Sequence, residues 1–168
     1  AAYAVGYSQL FALITWTSVG LMGATAAVAG QNLGTGQPDR SSQAAVVAGG
    51  MGLAVAAVVG VVFIMFPRPL FAVFALDDGV TYELGRQLLG YLAVSGFFVT
   101  VALTYTGALQ GTGDTRSPLY ISIVSQVIIP IGLCTYFSLT RELMPADIWL
   151  AIVLGHMARA GLSVVRFR

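Results

Sequence analysis

Apolar residues run along this chain in blocks too long for the core of a water-soluble domain. Five blocks, at about residues 9–30, 43–66, 84–109, 118–139 and 147–167, each supply the roughly 20 apolar positions that a helix needs to cross a bilayer. They lack the strict alternation and the shorter length of barrel strands. The pattern predicts an all-α membrane protein: a polytopic bundle of five transmembrane helices, forming a single membrane domain over residues 1–168. Polar residues collect between the blocks, in "QNLGTGQPDRSS", "PRPLFAVFALDDGVTYE", "QGTGDTRSP" and "RELMPAD". Residues 69–76 of the second connection are apolar but too short to span. They read as a short helix at the membrane interface or as a plain loop.

Composition strengthens this picture. The chain is 57% apolar and only 9% charged, where soluble domains carry about 25% charged residues. All eight basic residues are Arg; they are scattered, and no basic stripe forms to hold a nucleic acid. The lone Cys134 lies in an apolar run and forms no internal disulfide. The opening "AAYAVGYSQL" has no initiator Met and no basic segment, so it does not read as a signal peptide, and the chain is expected to begin inside a longer protein.

Successive connections must alternate between membrane faces. Arg40, Arg116, Arg159, Arg166 and Arg168 fall on one side, and Arg68, Arg86 and Arg141 on the other. The excess of basic residues marks the first side as cytoplasmic. The expected location is the cell membrane, plasma or inner, with the N-terminal end outside and the C-terminal end in the cytoplasm.

Within the blocks, small and polar residues mark the packing. Ala48, Gly52, Ala56 and Gly60 recur at i, i+4 spacing, a smooth strip against which another backbone can lie; Gly20, Gly23 and Gly30 are similar features of the first block. Pro130 stands in mid-block, removes a donor, and predicts a kink. The polar groups near it, Ser122, Ser125 and Gln126, fit either a structural bend or the wall of a water-filled cavity. His156 and Arg159 lie inside the fifth block, one turn apart. His156 fits an interhelical hydrogen bond, a cavity wall or a proton-coupling role, while Arg159 can reach toward the headgroups.

Glycine-rich loops invite a nucleotide reading, which the residues exclude. A phosphate loop needs Lys directly before Ser or Thr, and the chain has no Lys. A dinucleotide fingerprint needs a third glycine where Arg116 stands. "GALQGTGDTRSPLY" at 107–120 instead reads as a hairpin connection. Gly111 and Gly113 end one helix and permit a tight turn. Ser117 caps the next, Pro118 takes its first position, and Asp114 favours its N-terminus. "GTG" at 34–36 repeats the design of "GTG" at 111–113, with two spans between them.

"VAGQNLGTGQPDR" and "ALQGTGDTRSPL" resemble the cytoplasmic loops of the multidrug and toxic compound extrusion (MATE) family of secondary transporters. The residues carrying the resemblance are Gly30, Gln31, Gly34 and Gly36 in the first loop, and Gly111, Gly113, Asp114, Thr115, Arg116 and Pro118 in the second. "IWLA" and the terminal "RFR" fit the end of the family's second lobe. The resemblance implies helices eight to twelve of a twelve-helix antiporter, with the N-terminal lobe as a partner outside this chain. It implies efflux of organic cations or other small amphiphilic drugs in exchange for protons or sodium, with no cofactor and no metal. A substrate cavity is expected to draw on Tyr91, Thr104, Gln126 and His156. Some relatives place a coupling acid in the helix matching the third block, whereas residues 90–107 hold none. The coupling site is therefore expected outside this chain.

Two other readings carry less of the sequence. A lipid-linked oligosaccharide flippase of the same superfamily shares the layout, but its cavity is strongly cationic. An intramembrane serine protease would pair Ser95 with His156, yet Ala93 replaces the expected glycine and no oxyanion donors are identifiable.

Overall fold

The computed structural model describes residues 4–75 and 79–168. They form six helices: α1 (Ala4–Gly34), α2 (Pro38–Met65), α3 (Pro67–Ala72), α4 (Gly79–Gly111), α5 (Arg116–Thr140) and α6 (Pro145–Phe167). All but α3 are 23 to 33 residues long and apolar enough to cross a membrane. At about 1.5 Å per residue, each exceeds the ~30 Å hydrocarbon core. These helices overrun the blocks read from hydropathy because the polar residues at their ends continue the backbone ladder. Large apolar side chains such as Trp16, Val58, Ile64, Ile131 and Val165 point outward, as a lipid solvent requires.

Helix α4 is the axis of the bundle. It packs against α1, α2 and α6, whereas α5 rests mainly on α6. Of the α5 residues only Pro118 and Ser125 are buried. Three members of the small-residue strip of α2 face α4: Gly52 meets Thr100, Ala56 meets Gly96 and Gly60 meets Ala93, while Gly49 beside the strip meets Thr104. A Cβ on Gly52 would stand 2.0 Å from Thr100 Cγ2. In lipid this close fit supplies the attraction that water supplies to soluble bundles.

Helices α1 and α4 approach even more closely. Cβ atoms on Gly107 and Gly111 would lie 2.2 Å and 2.1 Å from the carbonyl oxygens of Met22 and Ala26. One on Gly30 would lie 2.7 Å from the Gly111 oxygen. Nearer the middle, Ser18 and Thr100 share a buried hydroxyl–hydroxyl bond of 2.9 Å, a contact worth roughly 0.6 kcal/mol in such bundles. Gly20 and Gly23 differ from Gly30: open space surrounds both.

The short helix α3 begins two residues before the apolar stretch read at 69–76 and is followed by a turn in which Ala75 takes φ 53°. Position 76 and the Asp77–Asp78 pair lie outside the described residues. Phe71 anchors α3, fully buried against Gly85 and edge-on to Tyr82 at 6.3 Å. Between α5 and α6, Asp147 accepts the Met144 N–H at 3.1 Å and pairs with Arg141.

Candidate functional site

The bend in α5 begins the site. Over Val124–Ile128 the ladder widens into a π-helical turn, with the Ile129 N–H returning to the Val124 carbonyl. Pro130, just beyond, has no N–H to give back. The Ser125 carbonyl turns instead toward α6, where a Cβ on Gly155 would stand only 2.5 Å from it and 3.2 Å from Pro130 Cγ. Gly155 is thus the place where α6 accepts the irregular turn. π-Helical insertions of this kind are frequent at functional sites.

On α4, α5 and α6, some buried side-chain atoms are not satisfied by their apolar surroundings. Among the described residues, Ser95 Oγ, Gln126 Nε2, His156 Nδ1, Arg159 Nε and Ser163 Oγ are buried without a hydrogen-bond partner. His156, Arg159 and Ser163 follow the i, i+3, i+7 spacing of one helical face. Gln126 Nε2 would be 3.7 Å from a Gly155 Cβ, one residue from His156. The ring pairs Tyr91–Trp149 and Tyr105–Phe167 set α4 and α6 parallel, which brings Ser95 to about the depth of His156. Phe11 closes one side, stacked on the imidazole at 6.1 Å. An unsatisfied buried polar group costs about 1–3 kcal/mol. Gln126 on α5 and His156 on α6 flank the Gly155 contact, so this α5–α6 seam is the candidate recognition surface.

The residues expected to line one cavity are divided. Gln126 lies beside Gly155, the residue before His156. Tyr91 borders a separate groove of about 350 Å³ between α4 and α6, with Gln87, Val94 and Val153. Thr104 is fully buried facing Gly49 of α2, and its hydroxyl donates to the Thr100 and Val101 carbonyls, both at 3.0 Å. Ser95 Oγ makes no hydrogen bond to His156, so the protease pair lacks its nucleophile–base contact. Ser163 and Gly155 were not singled out in the sequence; the seven-residue step from His156 is the signal for the first.

The glycine loops are built differently from their sequence reading. Gly36 and Gly113 take φ +73° and +95°, but Gly111 stays helical and serves close approach. The cap before α5 is Asp114, not Ser117. Its carboxylate accepts the Ser117 N–H at 2.9 Å and the Ser117 hydroxyl at 2.6 Å. Arg166, from the end of α6, pairs with Asp114 at 2.9 Å and donates to Ser117 Oγ at 2.7 Å. The Ser117 hydroxyl and amide, followed by the Arg166 charge, hold the Asp114 carboxyl below the usual aspartate range. Gln31, Thr115 and Arg116 are exposed, Pro118 is buried, and Gly34 stands in open space.

Long apolar helices joined through small residues, with polar groups held inside, define a polytopic helical membrane protein. A family model for MatE matches residues 1–135. The chain is 30% identical over 151 residues to a probable multidrug resistance protein NorM of Deinococcus radiodurans, covering 88% of this chain and 33% of that protein. It is 28% identical over 169 residues to multidrug resistance protein MdtK of Pectobacterium atrosepticum, covering 98% and 36%. The chain belongs to the MatE family, a family of transporters rather than enzymes, and spans about a third of the length of the curated relatives it matches.

Proposed function

We propose that this chain forms helices eight to twelve of a multidrug efflux antiporter and acts together with an N-terminal lobe. The family membership carries the reading, and the relatives' names as multidrug resistance proteins support it. In this arrangement amphiphilic drugs enter a cavity between the two lobes, and rocking of the lobes exposes it alternately to each side. The seam around Gln126 and His156 belongs to the wall of that cavity. Protons or sodium drive the exchange through a site in the other lobe. Both Gly-Thr-Gly turns face the cytoplasm, the N-terminal end faces outward, and the host is the cell membrane.

Export of a fluorescent amphiphilic cation from energised vesicles tests the proposal. The complete protein is expected to lower dye retention, and dissipating the ion gradient abolishes the effect. This chain by itself is expected to move no dye. Export by the isolated chain would sink the two-lobe reading.

A further inference from the structure

We infer that a phospholipid with a primary ammonium headgroup seats along α4, its head beside Arg68 and Glu83 and one acyl chain in the groove between α4 and α6. The inference goes beyond the efflux reading and does not depend on it. Two hollows carry it. The first, of about 460 Å³, is polar and bounded by Arg68, Tyr82, Glu83 and Gln87. The second is the groove of about 350 Å³ beside Tyr91, apolar along Gly90, Val94, Leu150 and Val153. Gln87 borders both. Glu83, Gln87, Gly90, Tyr91 and Val94 step by three or four residues and form one face of α4. The polar hollow therefore continues into the apolar groove, the shape of an amphiphile.

Charge and depth match a lipid of one leaflet. Glu83 and Arg86 are the last charges on α4, and none follows as far as Gly111. This puts the polar hollow at headgroup level and the groove in the hydrocarbon. From Glu83 to Val94 the helix rises about 16 Å, close to half of a ~30 Å hydrocarbon core. Phe71 anchors α3 and so positions Arg68, whose guanidinium lies over the Tyr82 ring at 5.7 Å. Arg68 makes no ion pair among the described residues and can meet a phosphate. The Glu83 carboxylate and the Gln87 amide oxygen accept hydrogen bonds. The pair of Glu83 with Arg86 at 3.3 Å is exposed, and such a pair is weak enough to yield. An ammonium with N–H donors suits these acceptors; a choline head has no N–H, and a glycerol head has no positive charge. Gly90 keeps the groove open, since a Cβ there would have nothing within 4 Å.

The test uses the complete protein in vesicles that carry, one at a time, phosphatidylethanolamine, phosphatidylcholine or phosphatidylglycerol with the same diazirine in one acyl chain. Labelled peptides are then mapped. The ethanolamine probe is expected to label segments 87–94 and 150–153 about fivefold more than the choline probe, the size of one charge contact near the membrane surface. Arg68→Gln should lower that labelling, and Glu83→Gln should erase the preference for ethanolamine over choline. Gly90→Leu should fill the groove and remove labelling from it. Should Gly90→Leu fail to fold, the Arg68 and Glu83 variants decide, because both alter exposed side chains. Equal labelling by all three lipids, unaltered by the variants, would mean ordinary boundary lipid and overturn the inference. An unlabelled groove, with the exposed Val58 and Ile64 of α2 still reacting, would mean that another part of the protein covers it, and would overturn it too. Stronger labelling by the glycerol probe would overturn the ammonium assignment.

Discussion

Residues 30–36 and 107–113 write one pattern twice, Gly-x-x-x-Gly-Thr-Gly, and the backbone answers with the same helix end. Gln37 N–H returns to the Asn32 carbonyl and Gly36 N–H to Leu33; 77 residues later, Asp114 returns to Leu109 and Gly113 to Gln110. Each is a Schellman motif with glycine in the left-handed position. Thr35 and Thr112 even make matching side-chain bonds to the last turn. What differs lies outside the motif. The second turn presses Gly107 and Gly111 onto the α1 backbone and is tied to α6 by Asp114 and Arg166, whereas Gly34 touches nothing and Gln37 caps α2 without a side-chain bond. Local sequence sets the turn, and tertiary context sets what depends on it.

The sharpest break in that symmetry is at the first glycine of each Gly-Thr-Gly. Gly111→Ala puts a methyl 2.1 Å from a backbone oxygen that has no rotamer to yield. It should destabilise by at least about 2 kcal/mol, within the usual range for overpacking, or prevent folding. Gly34→Ala meets open space and should be neutral or slightly stabilising, since alanine is the better helix former. Thermal unfolding in detergent, followed by size-exclusion recovery, measures both. Equal sensitivity would contradict the close α1–α4 crossing.

Why this asymmetry was invisible in the sequence is instructive. The five helices were legible because length and apolarity are local properties and lipid leaves the backbone few alternatives. The facing of the α2 strip was legible for a related reason: Ala48, Gly52, Ala56 and Gly60 all lie on one side of one helix. Which glycine meets a neighbouring backbone depends on where helices cross. Gly20 and Gly23 look like Gly30 in the sequence, yet among the described residues only Gly30 of the three meets a neighbouring backbone. The candidate site followed the same rule. His156 stood out because an ionisable group in a span is rare, and Gln126 because it precedes Pro130. Gln126 comes beside Gly155 at the π-helical turn, and Thr104 faced α2 because the register of α4 put it there.

A second pair of variants sharpens the common part. Gly36→Ala and Gly113→Ala each force an L-residue into the left-handed region, at a cost of about 1–2 kcal/mol. Neither position has a neighbour within 4 Å, so sterics outside the turn do not distinguish them. The two melting temperatures should fall by similar amounts. A clearly larger fall for Gly113→Ala would show that the tie to α6 depends on the turn's left-handed geometry.

The smallest effect belongs to the ionic tie, and pH isolates it. Asp114 is held below its ordinary value in the folded protein by Ser117 and then by Arg166. A depressed carboxyl contributes stability above its unfolded value, about 3.9, and loses that contribution as pH falls through the lower folded value. Wild type should therefore melt slightly above Asp114→Asn at pH 7, and the two curves should converge as the pH drops below about 4. Asp39→Asn, in the first turn of α2 and without a salt bridge among the described residues, should leave a smaller gap. The carboxylate sits near solvent, so added salt should narrow the Asp114 difference at neutral pH. A gap that persisted unchanged below the carboxyl range would assign the effect to the shape of the cap rather than to its charge.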